Sequence, residues 1–203
     1  PPVPPGDRMK RSLDLVLACI GLGLFGPVIG ALAIAIRLED GGPVFFRQQR
    51  VGRDRRPFTV LKLRSMRDGR VTRVGRWIRG TGLDETTQFL CVLRGDMSVV
   101  GPRPLTAEDL ARLGWDSSAM DWRFRVAPGI TGLAQLFAVP GAASSLRMDR
   151  AYVRDSSAWL DLQLVAASFA CNVLGKRRVK DWLRRHAYAG LADGGIDGAG
   201  AHR

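Results

Sequence analysis

The sequence predicts an α/β domain, mostly helical with short strands, held on a membrane by an N-terminal re-entrant helix and by amphipathic helices at the interface. Three observations predict it. Residues 15–36 carry no charge at all. A strongly basic stretch follows, in which apolar and basic residues alternate. Beyond it come short helical patterns punctuated by Gly and Pro. The 203-residue chain has a formal net charge of +12, which calls for a polyanionic partner: a phosphorylated substrate, an anionic membrane face or nucleic acid.

The elements follow in order. Residues 1–11 are a basic, Pro-rich lead. Residues 12–37 are the membrane helix. Its uncharged 22 residues would be about 33 Å long as one helix, close to the thickness of a bilayer core. It is too long for a cleaved signal peptide, and no A-x-A-like site follows it. Arg8, Lys10 and Arg11 flank one side, and Arg37, Arg47 and Arg50 the other, so charge bias sets no direction of crossing. Gly26-Pro27 sits in mid-segment, where proline removes an N–H and clashes with the preceding turn. The expectation is a helix that breaks at Pro27 and turns back, leaving both basic ends on the cytoplasmic face. A straight crossing and a buried helix of a soluble domain are the alternatives. Gly21–Gly26 spells G-x-G-x-x-G, but the span to Asp40 is too short for the helix and strand that a dinucleotide site needs.

Between Arg47 and Arg79 twelve Arg or Lys face only Asp54 and Asp68. The alternation predicts a hairpin with a turn at residues 51–54 and a second strand over 58–63. Part of this charge fits attraction to anionic lipid. Lys62 and Arg64 suit either a substrate phosphate or a lipid headgroup. Exposed aromatics interleaved with the charges are lacking, which weighs against nucleic acid. From Thr81 the pattern turns helical. Thr81 and Asp84 fit a capping box, and Asp84 and Glu85 would then be first-turn acids that suit the helix dipole. Against that reading stand Arg79 upstream and Arg103 downstream in the stiff Gly101-Pro102-Arg103-Pro104 turn. Thr86 and Thr87 read as ordinary helix residues. His186 and His202 are the only histidines, so a Ser-His-Asp triad or a histidine zinc site in the body of the chain is excluded. Cys19, Cys91 and Cys171 lie apart among apolar residues and read as thiols in a reducing compartment, not a disulfide framework. Residues 158–174 form an apolar helix with a narrow polar stripe at Asp161, Ser168 and Asn172. It is followed by Lys176, Arg177 and Arg178, the mark of an interfacial or core-capping helix. Residues 181–188 are a second amphipathic piece with Trp182, and residues 189–203 a Gly-rich flexible tail.

Several of these segments occur together in a known family. Lys10-Arg11 before the apolar stretch, Gly41-Gly42-Pro43-Val44-Phe45-Phe46-Arg47-Gln48, Lys62-Leu63-Arg64-Ser65-Met66 and Leu83-Asp84-Glu85 come in order. Arg94 through Pro104 (RGDMSVVGPRP) and Pro128-Gly129-Ile130-Thr131-Gly132 follow. The chain resembles the bacterial sugar transferases of the monotopic phosphoglycosyl transferase family over residues 10–180. The resemblance implies an enzyme on the cytoplasmic face of the bacterial inner membrane. It would move a sugar 1-phosphate from a UDP-sugar to polyprenyl phosphate, releasing UMP with the help of Mg2+, to begin a lipid-linked glycan. It places the nucleophile on Asp84, its partner on Glu85, and phosphate-binding arginines on Arg79 and Arg103. Asp84 and Glu85 are also the metal candidates, and Glu85 could serve as ligand or polarise the pair. Asp149 and Tyr152 match the family's Asp-x-x-Tyr, as substrate contacts or a structural pair. Gln135 lies in the segment after Thr131-Gly132.

The chain departs from the family at Gly26-Pro27, usually Ser-Pro, and at residues 133–139 (LAQLFAV), usually Trp-Ala-Gln-Val-Asn-Gly-Arg. Larger members carry a long amino-terminal transmembrane domain, which the expected organisation here omits: lead, membrane helix, a catalytic domain over 38–188, and tail. The chemistry agrees with the resemblance. A carboxylate attacking a pyrophosphate brings like charges together, and arginines and a metal must offset them. The expected partners are the sugar nucleotide, polyprenyl phosphate and membrane lipid, not nucleic acid; a homo-oligomer stays open. The alternative from another class is a non-enzymatic basic module binding anionic lipid or nucleic acid.

Overall fold

The computed structural model describes residues 5–137 and 141–174. The basic run at 176–178, the amphipathic piece at 181–188 and the tail at 189–203 lie outside the described residues. The first helix, α1 (Pro5–Asp40), contains Pro27 without interruption. The expected break at Gly26-Pro27 is therefore corrected: the backbone stays helical through the proline. One missing N–H costs a helix a single bond, and tertiary contacts hold the turns on either side. Upstream, Ala18 packs into the main core and Gly21 abuts the Phe89 ring; downstream, Leu32 and Ile36 pack on Leu63 and Ile78. By length and composition α1 could cross a membrane.

The hairpin appears as expected. Strands β1 (Phe45–Val51) and β2 (Pro57–Leu63) pair antiparallel, with Phe45 opposite Leu63 and Arg50 opposite Phe58. The connection is longer than a tight turn. Gly52 N–H donates to Arg56 O at 2.8 Å, and Asp54 and Arg55 adopt positive φ, an uncommon conformation for residues with a Cβ. A small hairpin follows, β3 (Met66–Arg67) and β4 (Arg70–Val71). Helix α2 (Arg73–Thr81) is capped twice: Thr72 Oγ1 accepts from Gly75 N, and the Glu39 carboxylate of α1 accepts from Arg73 N and Val74 N. These contacts satisfy donors that no intrahelical carbonyl can reach.

After a 3-10 turn over Leu83–Gln88 come α3 (Phe89–Arg94) and β5 (Ser98–Val100). Next are α4 (Ala107–Leu113), a 3-10 segment over Ser118–Phe124, and β6 (Gly129–Thr131), which pairs parallel with β5. Helices α5 (Leu133–Phe137), α6 (Ala142–Asp155) and α7 (Ala158–Leu174) complete the described chain. Among the described residues the sheets are all two-stranded, so the strands serve as local braces for a helical body. The main core joins Val60, Cys91, Val92, Val100, Phe137, Tyr152 and Leu164 from six elements. Cys91 and Cys171 are buried, Cys19 is exposed, and none of the three is in a disulfide.

Helix α7 packs Leu164 and Cys171 into the main core, and part of its polar stripe turns inward with them. Asp161, from its polar stripe, is buried and ion-paired with Lys10, and Ser168 Oγ hydrogen-bonds Thr131 Oγ1 at 2.7 Å. Its apolar Trp159, Leu162 and Phe169 point outward, as do Ile20 and Leu24 of α1.

Candidate active site

Thr81 does not open the helix that carries the paired acids. It closes α2, donating its hydroxyl to Trp77 O and Ile78 O, and Gly82 follows in the left-handed conformation that ends a helix. The capping-box expectation is corrected on that ground. Asp84 and Glu85 instead lie on the 3-10 turn over Leu83–Gln88, where residues three apart eclipse. Three ridges result. Asp84 lines up with Thr87, which is fully buried and donates to Leu61 O at 2.6 Å, so Thr87 is a tie to β2 rather than an ordinary helix residue. Glu85 lines up with Gln88, and Thr86 with Phe89.

Glu85 and Gln88 face a narrow crevice lined also by Arg50, Lys62, Arg103 and Gln135. Thr86 and Phe89 face a groove of about 480 Å³, whose other walls include Phe25 of α1, Leu136 of α5, and Val165 and Phe169 of α7. Glu85, Arg103, Ile130 and Gln135 line both. The crevice, about 20 Å³, holds little more than a water, so any larger ligand must lie over it and in the groove. The result is a cationic floor opening directly onto an apolar channel between α1 and α7.

The charges in the crevice do not balance. Lys62 Nζ stands 3.3 Å from Glu85 Oε1. Arg50 is 3.8 Å from Asp109 Oδ2 and donates to Gln48 Oε1 at 2.6 Å. Burial pushes the Arg50 pKa down, Asp109 opposes the shift, and the nearby Arg103 charge adds to it. Three cations around one carboxylate favour the arrival of an anion. Arg50 was visible in the sequence only as a flanking charge. The hairpin register could have found it: Arg50 pairs with Phe58 while Lys62, four residues on, shares that strand face.

The other candidates are placed as follows. Arg103 is exposed on the Pro-stiffened turn and lines both cavities. Gln135 does too; its Nε2 donates weakly to Gly101 O at 3.4 Å, and its Oε1 is buried without a partner. Asp84 is half-buried and lines neither cavity, and exposed Arg79, on the last turn of α2, lines neither either. Arg64 pairs with Asp40 and donates to Pro43 O at 2.6 Å, so it secures the end of α1. Asp149 and Tyr152 are buried and do not pair with each other. Asp149 takes Arg123 Nε at 2.8 Å; burial raises its pKa and Arg123 partly offsets this. The Tyr152 hydroxyl has Asp161 Oδ1 at 2.8 Å and Val100 O at 2.9 Å as acceptors for its one proton, and it accepts from Lys10 Nζ at 2.7 Å. Nothing in the sequence pattern singled out Arg123.

No cluster of three or more His, Cys, Asp or Glu able to hold a metal occurs among the described residues. Asp84 and Glu85 supply two adjacent carboxylates. Mg2+ is commonly held by one or two carboxylates together with substrate phosphates; Glu85 lines the crevice and meets that minimum, while Asp84 lies on the neighbouring ridge and lines neither cavity.

Comparison with known proteins places the chain in a family. The family model for bacterial sugar transferases matches residues 6–175. The UDP-glucose:undecaprenyl-phosphate glucose-1-phosphate transferase of Caulobacter vibrioides is 41% identical over 184 residues, covering 78% of this chain and 67% of that protein. The protein of the same description from Escherichia coli K12 is 39% identical over 178 residues, covering 77% of this chain and 38% of its own length. A UDP-N-acetylgalactosamine-undecaprenyl-phosphate N-acetylgalactosaminephosphotransferase of Aeromonas hydrophila is 39% identical over 178 residues, covering 77% of this chain and 42% of that protein. The chain belongs to the bacterial sugar transferase family and is a transferase-class domain. It spans about two thirds of the Caulobacter relative and about two fifths of the other two.

Proposed function

We propose that the chain transfers a sugar 1-phosphate from a UDP-sugar to undecaprenyl phosphate and releases UMP, at the cytoplasmic face of the bacterial inner membrane. The observation that carries the reading is the cationic crevice of Arg50, Lys62 and Arg103 opening onto an apolar groove through shared walls. A diphosphate lying over the crevice would meet its cations, and a polyprenyl tail suits the groove between α1 and α7. The relatives' names describe the same pairing of substrates. They differ in the sugar, so the donor's sugar is a matter for assay.

In the proposed reaction an Asp84 carboxylate oxygen attacks the sugar-bearing phosphorus. The new O–P bond forms as the bond to the bridging oxygen breaks, and UMP leaves with the electron pair. A phosphate oxygen of undecaprenyl phosphate then attacks the same phosphorus and expels the Asp84 carboxylate. Arg103 and Lys62 hold phosphate oxygens and offset the charge that gathers there. Asp84 and Glu85 would hold Mg2+, which when bound polarises the phosphoryl oxygens. Glu85 is the carboxylate that faces the crevice; Asp84 precedes it on the same turn.

Both ends of α1 bind the same body, which supports a monotopic arrangement. Lys10 pairs with Asp161, and Arg11 donates to Val92 O and Leu93 O. Thirty residues later Asp40 pairs with Arg64, and Glu39 caps α2. The uninterrupted helix rises about 45 Å between these ends, more than a bilayer core, so a straight crossing would require one polar domain to sit on both sides.

The test is UMP release in detergent with Mg2+, undecaprenyl phosphate and a panel beginning with UDP-glucose and UDP-N-acetylgalactosamine. Donor alone should leave one sugar phosphate on the protein, placed by fragmentation on Asp84. An adduct on Glu85 would move the nucleophile by one residue. No UMP from any UDP-sugar would leave a lipid-binding module.

A further inference from the structure

Five consecutive carbonyls of the turn that presents Arg103 each accept a hydrogen bond. Gly101 O takes Gln135 Nε2 at 3.4 Å, and Pro102 O takes Gly129 N at 2.9 Å. Arg103 O takes Arg123 Nη2 at 2.7 Å, Pro104 O takes Arg50 Nη1 at 3.0 Å, and Leu105 O takes Val51 N at 2.9 Å. Pro102 and Pro104 have no N–H to offer, so these carbonyls are the main handles on the turn.

Among those donors Arg123 is unusual. Its side chain and that of Asp149 are each only 3% exposed. The guanidinium uses Nε on Asp149 and Nη2 on the Arg103 carbonyl, and it lies 5.5 Å from the Trp115 ring centre. Two charges this deep are costly to desolvate, and apolar side chains of similar volume often hold a fold equally well. Stability alone therefore gives a weak account of the pair. A planar fork gripped by a carboxylate and stacked near a ring has one orientation, and it passes that orientation to the carbonyl it holds.

We propose that the Arg123–Asp149 pair is a positioning device that acts on phosphate transfer through the main chain of Arg103. It fixes the turn so that the Arg103 side chain stands over the crevice without searching. The inference rests on the assignment of Arg103 to the donor's phosphate.

A double-mutant cycle tests it. Arg123→Lys keeps a charge for Asp149 but loses the fork that also reaches Arg103 O. Arg123→Met combined with Asp149→Leu removes the pair without stranding a buried charge. UMP release from the donor is read as kcat and KM, with thermal unfolding followed alongside. In an otherwise native chain each change should lower kcat/KM roughly 10- to 100-fold, as an ångström-scale misplacement does. In an Arg103→Ala background the same changes should alter the residual rate by less than about twofold, because coupled residues do not add. Losses that multiply in the Arg103→Ala background overturn the inference and leave the Arg103 assignment standing. So does native turnover in Arg123→Lys, the variant that decides the matter if the paired variant folds poorly. An Arg103→Ala enzyme as fast as the native one overturns both.

Discussion

Gly132→Ala should disable the site from outside it. Gly132 lies between β6 and α5, where the segment after Gly129–Thr131 crosses the Gly101 turn. A Cβ at this position would collide with the Gly101 carbonyl oxygen and stand 2.9 Å from Gln135 Oε1 and 3.1 Å from the Gly101 carbonyl carbon. Ordinary contact between such atoms begins near 3.4 Å. The carbonyl would have to retreat by about 1 Å, since close-packed atoms tolerate little overlap. The retreat cannot be local, because the next four carbonyls are tied to Gly129, Arg123, Arg50 and Val51. Overpacking of this kind costs about 1–3 kcal/mol. For a domain of this size that lowers the unfolding midpoint by roughly 3–10 °C. A 1 Å shift of the Arg103 turn should slow UMP release up to about 100-fold. Gly80→Ala is the stability control: nothing lies within 4 Å of its Cβ position on α2, and alanine there should be neutral or stabilising. If Gly132→Ala melts within about 1 °C of the native chain and turns over at a native rate, the interlock of the two motif loops is not what holds Arg103.

Three further outcomes follow from the same geometry. Arg103→Lys keeps the charge but loses the bidentate fork; turnover should fall 10- to 100-fold, roughly 1.4–2.8 kcal/mol of transition-state stabilisation, and a near-native rate would assign Arg103 to the fold. Arg64 and then the Gly42 N–H hold the Asp40 carboxyl below its ordinary range, so the stability it lends is full above the unfolded-state pKa and is lost as pH falls through the lower folded value. Asp40→Asn should therefore lower the melting point at neutral pH and by less in strong acid, and an equal loss at both would remove Asp40 from the balance. Single cysteines replacing Arg8 and Leu38, in a chain stripped of its native thiols, should both resist an impermeant reagent applied from the periplasm; labelling at position 8 would mean that α1 spans.

What the sequence made legible were features set by local chemistry. Alternation marked the β1–β2 hairpin, of which β2 buries Phe58, Val60 and Leu63 while β1 stays exposed to half-buried, and the apolar run marked α1. Local rules also misled. Thr81 and Asp84 satisfy a capping pattern, but Gly82 between them takes a left-handed conformation, so the hydroxyl ends one helix instead of starting another. Pro27 carries a break signal that packing on both sides of it overrides. Half of the site was legible as motifs, in Glu85, Lys62, Arg103 and Gln135. Arg123 and the crevice role of Arg50 were not, since each acts through a partner more than 15 residues away that no local pattern records. Asp149 and Tyr152, one helical turn apart on α6, looked like a pair; the fold sends Asp149 to Arg123 and Tyr152 to Lys10 and Asp161.

The polar stripe of α7 shows how anchoring and catalysis share one set of contacts. In a helix packed on a soluble core the apolar stripe turns inward and the polar residues meet water. Here Asp161 and Ser168 turn inward, to Lys10 of α1 and Thr131 of β6, while Trp159, Leu162 and Phe169 face out. Leu164 and Cys171 of α7 are buried as well, so the unusual feature is the exposed apolar trio, which suits lipid rather than water outside. The Lys10–Asp161 pair ties the start of α1 to α7, and the Thr131–Ser168 bond ties α7 to β6. Those two elements, with Phe25 from the middle of α1, frame the apolar groove. Whatever seats α1 and α7 in the bilayer therefore also sets the width of the channel leading to Glu85 and Arg103. A lipid-borne acceptor would meet the cationic crevice without leaving the membrane.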